Sequence, residues 1–127
     1  MRFLGIDFGE KRIGLAVSDP TGTIATPFEV IKNDAQSISY IISLCEKQDI
    51  GKIIIGESID FSGNPNPVQW KIQKFISALE GETSIEVISE NETLTTKAAT
   101  HIQGKHDKID ASAAALILNS FLERQKK

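Results

Sequence analysis

Residues 1–19, MRFLGIDFGEKRIGLAVSD, decide how this chain folds. Met1 to Ile6 reads as a short apolar strand that delivers a carboxylate, Asp7, into a glycine-bearing turn, Phe8-Gly9-Glu10. Ile13, Leu15 and Val17 then alternate with Gly14, Ala16 and Ser18, the period-two pattern of a returning hairpin arm. An ionised aspartate in the apolar heart of a sheet costs several kcal/mol unless a base, backbone donors or a cation compensates it. Asp7, set between Ile6 and Phe8, has no ordinary packing role and is the first candidate functional residue. Lys11 and Arg12 follow the turn, either as a solvated hairpin arm or as a grip on a phosphate near Asp7.

Outward from the hairpin, Asp19-Pro20-Thr21-Gly22 is a turn. A third strand is expected over Thr23 to Ile31, interrupted near Pro27 and therefore at a sheet edge. Asp34 can cap a helix in which Ile38, Ile41, Ile42 and Cys45 repeat at helical spacing, and Gly51 is expected to end that unit. Lys52 to Gly56 is a β-branched run suited to a strand covered on both faces. A polar loop from Glu57 leads to Asn66-Pro67, a cap with proline at the first helical position, and to the stripe Val68, Ile72, Phe75, Ile76 and Leu79. Ile85 to Ile88 is a fifth strand, Thr95 to Ile102 a helix, Gly104 to Lys108 a basic link, and Ala111 to Leu122 a last, alanine-rich helix. Right-handed crossovers then leave one economical arrangement. It is an α/β fold, a five-stranded mixed sheet with the first strand central and helices on both faces, in a single domain over 1–127.

Composition narrows the function classes. A hydrophobic content of 40% and a charged content of 24% suit a soluble globular protein long enough to bury a core. No apolar run is long enough to span a membrane, and the opening residues lack a signal-peptide layout. The single cysteine, Cys45, sits on an apolar helix face and reads as buried filler in a reducing cytoplasm. The net charge of −3 gives no bulk attraction for nucleic acid, so such binding needs local basic groups or metal ions.

In a sheet of this kind, function tends to lie beyond the carboxyl ends of the parallel strands. Asp7 ends the first strand, Glu92 follows the fifth in Ser89-Glu90-Asn91-Glu92, and Asp110 opens the last helix in Lys108-Ile109-Asp110-Ala111. The three can meet at one rim, where three carboxylates with open positions suit Mg²⁺ or Mn²⁺. Two such ions about 4 Å apart could activate a water and stabilise a leaving oxygen in phosphodiester hydrolysis. Each acid also has a plainer role: Asp110 as an N-cap, Glu92 as a solvated charge. Lys105, His106 and Lys108 read as a surface cluster, with phosphate contact the alternative. Neither histidine has a partner at metal-ligand spacing, and no phosphate-binding loop or dinucleotide fingerprint is present.

GIDFGEKRIGLAVSDPTGTIATPFEVI closely resembles the opening of the YqgF/RuvX proteins, a family of pre-16S rRNA nucleases related to Holliday-junction resolvases. NETLTTKAA resembles their second motif and KIDASAAALIL their last, so the likeness runs the length of the chain in order. It implies a ribonuclease H-like fold, a cytoplasmic location and divalent-metal hydrolysis of phosphodiesters, trimming the 5′ side of the small-subunit rRNA precursor. By motif position the family's catalytic and metal-binding acids fall on Asp7, Glu92 and Asp110; on a nuclease reading Lys11, Arg12 and Thr95 would contact the substrate. There are departures. The family's Asp-Glu-Arg-Leu-Thr-Thr is here Asn91-Glu92-Thr93-Leu94-Thr95-Thr96, which removes an arginine beside Glu92. Its Gly-Leu-Pro is Gly56-Glu57-Ser58, and Glu57 reads either as a surface loop residue or as a fourth ligand.

Three functions compete on this reading. The first is a nuclease acting on structured RNA, precursor rRNA in particular. The second is a resolvase of branched DNA, which needs two active sites and hence a homodimer rather than a monomer. The third is a ribosome-assembly or nucleic-acid binding protein whose catalysis has decayed. A sugar-kinase or actin-like ATPase shares an Asp-x-Gly hairpin but needs two such domains around its nucleotide.

Overall fold

The computed structural model describes residues 1–57, 67–91 and 109–125. Five strands run β1 (Arg2–Phe8), β2 (Arg12–Ser18), β3 (Ala25–Lys32), β4 (Ile50–Glu57) and β5 (Glu86–Asn91). Three helices are described: α1 (Ser37–Gln48), α2 (Pro67–Glu82) and α3 (Ile109–Gln125). The expected helix over Thr95 to Ile102 and the basic link over Gly104 to Lys108 lie outside the described residues. No helix among the described residues is long and apolar enough to cross a membrane.

The strands form one sheet in the order β3-β2-β1-β4-β5, with β1 central as expected. β1 is antiparallel to β2 and parallel to β4, and β4 is parallel to β5. The carboxyl ends of β1, β4 and β5 therefore share one edge.

Strand alternation divides the side chains between two faces. Leu4, Ile6, Phe8, Ile13, Leu15, Ile53 and Ile55 pack against Ile41, Leu44 and Cys45 of α1 and Ile72, Phe75, Ile76 and Leu79 of α2. On the other face Phe3 and Ile54 meet Ile117, Leu118, Phe121 and Leu122 of α3, and Ala16 meets Ala114 and Ala115. Helices thus cover both faces. Cys45 is buried, and desolvation pushes its thiol up to about 11, which fits filler rather than a nucleophile.

Several boundaries differ from the sequence expectation. α1 begins at Ser37, after Gln36, and Asp34 accepts the Gln36 N–H at 2.9 Å one step before the helix. The helix ends at Asp49, which adopts the left-handed region at φ 56° and donates its N–H to the Cys45 carbonyl. Aspartate tolerates that conformation, so Gly51 is not needed as a stop and is already part of β4. Glu57 closes β4 rather than opening a loop, paired in register with Asn91. α3 starts at Ile109, which puts Asp110 inside the first turn rather than at the N-cap.

Candidate active site

Asp7 does not leave the sheet for the turn. β1 continues through it to Phe8, and Asp7 pairs with Gly14 on β2 and Gly56 on β4. The sheet row that holds it reads Val30, Gly14, Asp7, Gly56, Glu90 from β3 to β5. Both neighbours of Asp7 lack a side chain, so the carboxylate stands in a trough one strand wide on either side. Glycine within a strand often marks such an approach by a ligand or another backbone. The half-buried Asp7 carboxyl shares its face with Phe3 and Gly5, the face that α3 covers.

Small residues fix how α3 lies on that face. A Cβ at Gly5 would stand 2.9 Å from the Ala114 carbonyl oxygen and 2.9 Å from the Leu118 Cβ, so only glycine admits the helix so closely. Further along, the Phe121 ring stacks at a tilt 5.9 Å from Phe3. α3 therefore runs obliquely and opposite to β1, with its first turn toward the carboxyl edge. From Gly5 to Asp7 the strand advances about 7 Å. From Ala114 back to Asp110 the helix retreats about 6 Å, which brings the backbone of Asp110 level with Asp7.

Of the other residues singled out in the sequence, Glu92 and Thr95 lie outside the described residues, as do Lys105, His106 and Lys108. Asn91, immediately before Glu92, ends β5 at the same edge as Asp7. Glu90 shares the Asp7 row but is two strands away, about 10 Å, and its carboxylate pairs with Arg124 at the end of α3. It is a tether for the helix rather than a companion of Asp7. Among the described residues no three histidine, cysteine, aspartate or glutamate side chains gather into a metal-binding group.

The turn after Asp7 is held from three sides. Asn33, just past β3, donates its side-chain amide to the Gly9 carbonyl at 2.7 Å and its backbone N–H to the Lys11 carbonyl at 3.0 Å. Lys71 of α2 pairs with Glu10 at 2.6 Å. That hydrogen bond and the lysine charge hold the Glu10 carboxyl below its usual range. Phe75 packs its ring 5.0 Å from Phe8. Lys11 and Arg12 are exposed on this braced turn. Asn33 was invisible to sequence reasoning, because its bonds reach back 24 residues to Gly9. Gly14 and Gly56 did carry a signal, glycine inside otherwise apolar strands.

A mixed sheet in this order, with an acid at the end of its central strand and helices on both faces, defines the ribonuclease H-like class. The solved structure of T. thermophilus RuvC in complex with Holliday junction substrate shares the fold at a TM-score of 0.66 and 17% identity, covering 99% of this chain and 96% of that one. The fowlpox virus resolvase with its substrate Holliday junction DNA does so at 0.61 and 17%, covering all of both chains.

The chain belongs to the RuvX family, whose model, described as Holliday junction resolvase, matches residues 1–124. A relative from Sulfurihydrogenibium sp. named "Putative pre-16S rRNA nuclease" is 37% identical, covering 97% of this chain and 90% of the relative. Another of that name, from Thermoanaerobacter pseudethanolicus, is 33% identical over 99% of both chains.

Proposed function

We propose that this chain is a single-domain, divalent-metal-dependent nuclease over residues 1–127 that hydrolyses phosphodiester bonds in structured RNA. The substrate is the 5′ side of pre-16S rRNA in the cytoplasm, during ribosome biogenesis. The observation that carries this is the Asp7 carboxylate flanked in its row by Gly14 and Gly56, level with the first turn of α3. Family membership supplies the reaction class.

The donor chemistry fits Mg²⁺ or Mn²⁺, which take carboxylate and water oxygens. Asp7 meets that requirement with room on both sides, and Asp7, Glu92 and Asp110 are the residues that would hold the metal. When bound, it supplies Lewis-acid polarisation of the phosphate and a water of lowered pKa. The chain's own residues do the rest. Asp7 is held in the sheet ladder, so its position is set before substrate arrives. The braced turn presents Lys11 and Arg12 to the phosphates flanking the cut, and Thr95 adds a hydroxyl contact.

The test uses wild type and Asp7→Asn with precursor rRNA, a four-way DNA junction and single strands, each with Mg²⁺, Mn²⁺ or chelator. Wild type should cleave the precursor only with metal, and Asp7→Asn should not cleave it. Equal cleavage by both proteins would remove Asp7 from the mechanism. The family description favours a second reading, a resolvase acting on branched DNA as a homodimer. Symmetric cutting of the junction with the precursor left intact, by a species of twice the chain mass, would select it.

A further inference from the structure

Trp70 is the only tryptophan of the chain and is 64% exposed, the most exposed large apolar side chain among the described residues. Aromatic side chains carry a large apolar area, and water is a poor place to leave it. On α2, Trp70 forms a stripe with Gln73, Lys74 and Ser77 at helical spacing. These four line a shallow groove of about 330 Å³. The Lys74 ammonium lies over one face of the indole ring, 4.9 Å from its centre, which leaves the opposite face for a base. An aromatic plane, an amide, a hydroxyl and a mobile cation together match a nucleotide: a base to stack, edges to bond and a phosphate to neutralise.

The stripe also lies in the right place. Lys71, the next residue, pairs with Glu10 in the turn that follows Asp7. Phe75, one turn further, packs on Phe8, the neighbour of Asp7. The start of α2 and the Asp7 row thus flank the same carboxyl edge, Asp7 on the α3 face and Trp70 on the solvent side of α2, opposite its buried stripe of Ile72, Phe75, Ile76 and Leu79. A nucleic-acid strand that crossed this edge past Lys11 and Arg12 and turned over the start of α2 would reach both.

We propose that Trp70 and Lys74 form a platform on which an unpaired base of the nucleic-acid substrate stacks, a few nucleotides from the cleaved bond. This rests on the nuclease reading and adds a selection rule to it: the platform favours substrates with an unpaired base at that position. Stacking is sequence-tolerant, because every base has a π face. The platform reads pairing, not sequence.

The lone tryptophan makes the test direct. Wild-type indole fluorescence is followed while a single-stranded oligoribonucleotide, the same sequence in a perfect duplex, or that duplex with an unpaired bulge is added in chelator. The single strand and the bulge should quench it; the perfect duplex should not. Trp70→Ala should bind the unpaired substrates about 5- to 150-fold more weakly, and Trp70→Phe should restore most of that loss. Duplex affinity and thermal midpoint should stay unchanged in both variants. Unaltered affinity of Trp70→Ala for unpaired substrates overturns the platform while cleavage by the wild type leaves the nuclease reading standing. Self-association that buries the indole and disappears in Trp70→Ala also overturns it, in favour of a second copy on this face. If no nucleic acid binds and Asp7→Asn behaves as wild type, both readings fall together.

Discussion

On the face of the sheet toward α1 and α2, the strands present Leu4, Ile6, Ile13, Leu15, Ile53 and Ile55, all fully buried. Around the Asp7 row, on the face toward α3, they present Gly5, Asp7, Gly14, Ala16 and Gly56. Burying each large aliphatic side chain contributes roughly 1.5–3 kcal/mol, so the first face is where stability is concentrated. The second gives up much of that contribution. In return the α3 backbone comes within contact of β1, and space is left beside a carboxylate. On the proposed reading, stability and chemistry are assigned to opposite sides of the same strands, and a substitution should disturb one without the other.

The largest separation is expected from Asp7→Asn. Loss of one charge-stabilising group at a reaction centre costs about a hundred- to a thousandfold in rate, and a half-buried carboxylate replaced by its amide should not lower the thermal midpoint. A variant that is both inactive and unfolded would break the comparison. Ile41→Ala, in the core at α1, should do the reverse. It is expected to cost about 2–5 kcal/mol in denaturant unfolding, while the folded protein keeps its turnover.

Gly5→Val sharpens the contrast, since valine is the better strand former. The branched side chain would overlap the Ala114 carbonyl and Leu118, so a loss of about 1–3 kcal/mol is expected. The loss should be accompanied by reduced activity as the first turn of α3 is pushed away from Asp7. A Gly5→Val protein as stable as wild type would show that the helix is not seated by contact at this glycine.

The smallest effect belongs to the exposed pair that braces the turn. The Glu10 carboxyl is held below its ordinary value of 4.5 by the hydrogen bond and charge of Lys71. Its contribution is therefore present above that value and is lost as pH falls through the lower folded-state value. Glu10→Gln should be slightly less stable than wild type at neutral pH and low salt. The difference should vanish in acid and shrink in about 1 M salt, where the screening length falls to roughly 3 Å. A difference that persists in acid would mean that Glu10 acts by packing rather than charge.

Much of this architecture was legible in the chain. Period-two alternation in Ile13 to Ser18, the β-branched run at Ile53 to Ile55 and the helical stripe from Ile72 to Leu79 each identify an element from neighbours in sequence. The central place of the first strand followed from the hairpin and crossover connections and their handedness, and Asp7 was marked by the chemistry of a carboxylate among apolar residues. The motif resemblance pointed to the family to which the chain belongs. The boundaries slipped where local alternatives are nearly equal in energy. Asp49 took the left-handed stop expected near Gly51, and α3 took in Ile109 and Asp110.

By itself, then, the sequence determined which of the described segments are strands and helices, which face of each is apolar, and which acid is out of place in a core. Those are short-range matters, decided within a few residues by sterics and hydrophobic spacing. Only the tertiary structure decided that Asp7 stands between Gly14 and Gly56, that Asn33 and Lys71 hold its turn, and that the start of α2, which carries Trp70, reaches the same edge. Each of those depends on register or on packing between distant segments. Shifting a strand by one residue exchanges its two faces, and no local pattern around Asp7 states which of β4's residues will lie beside it.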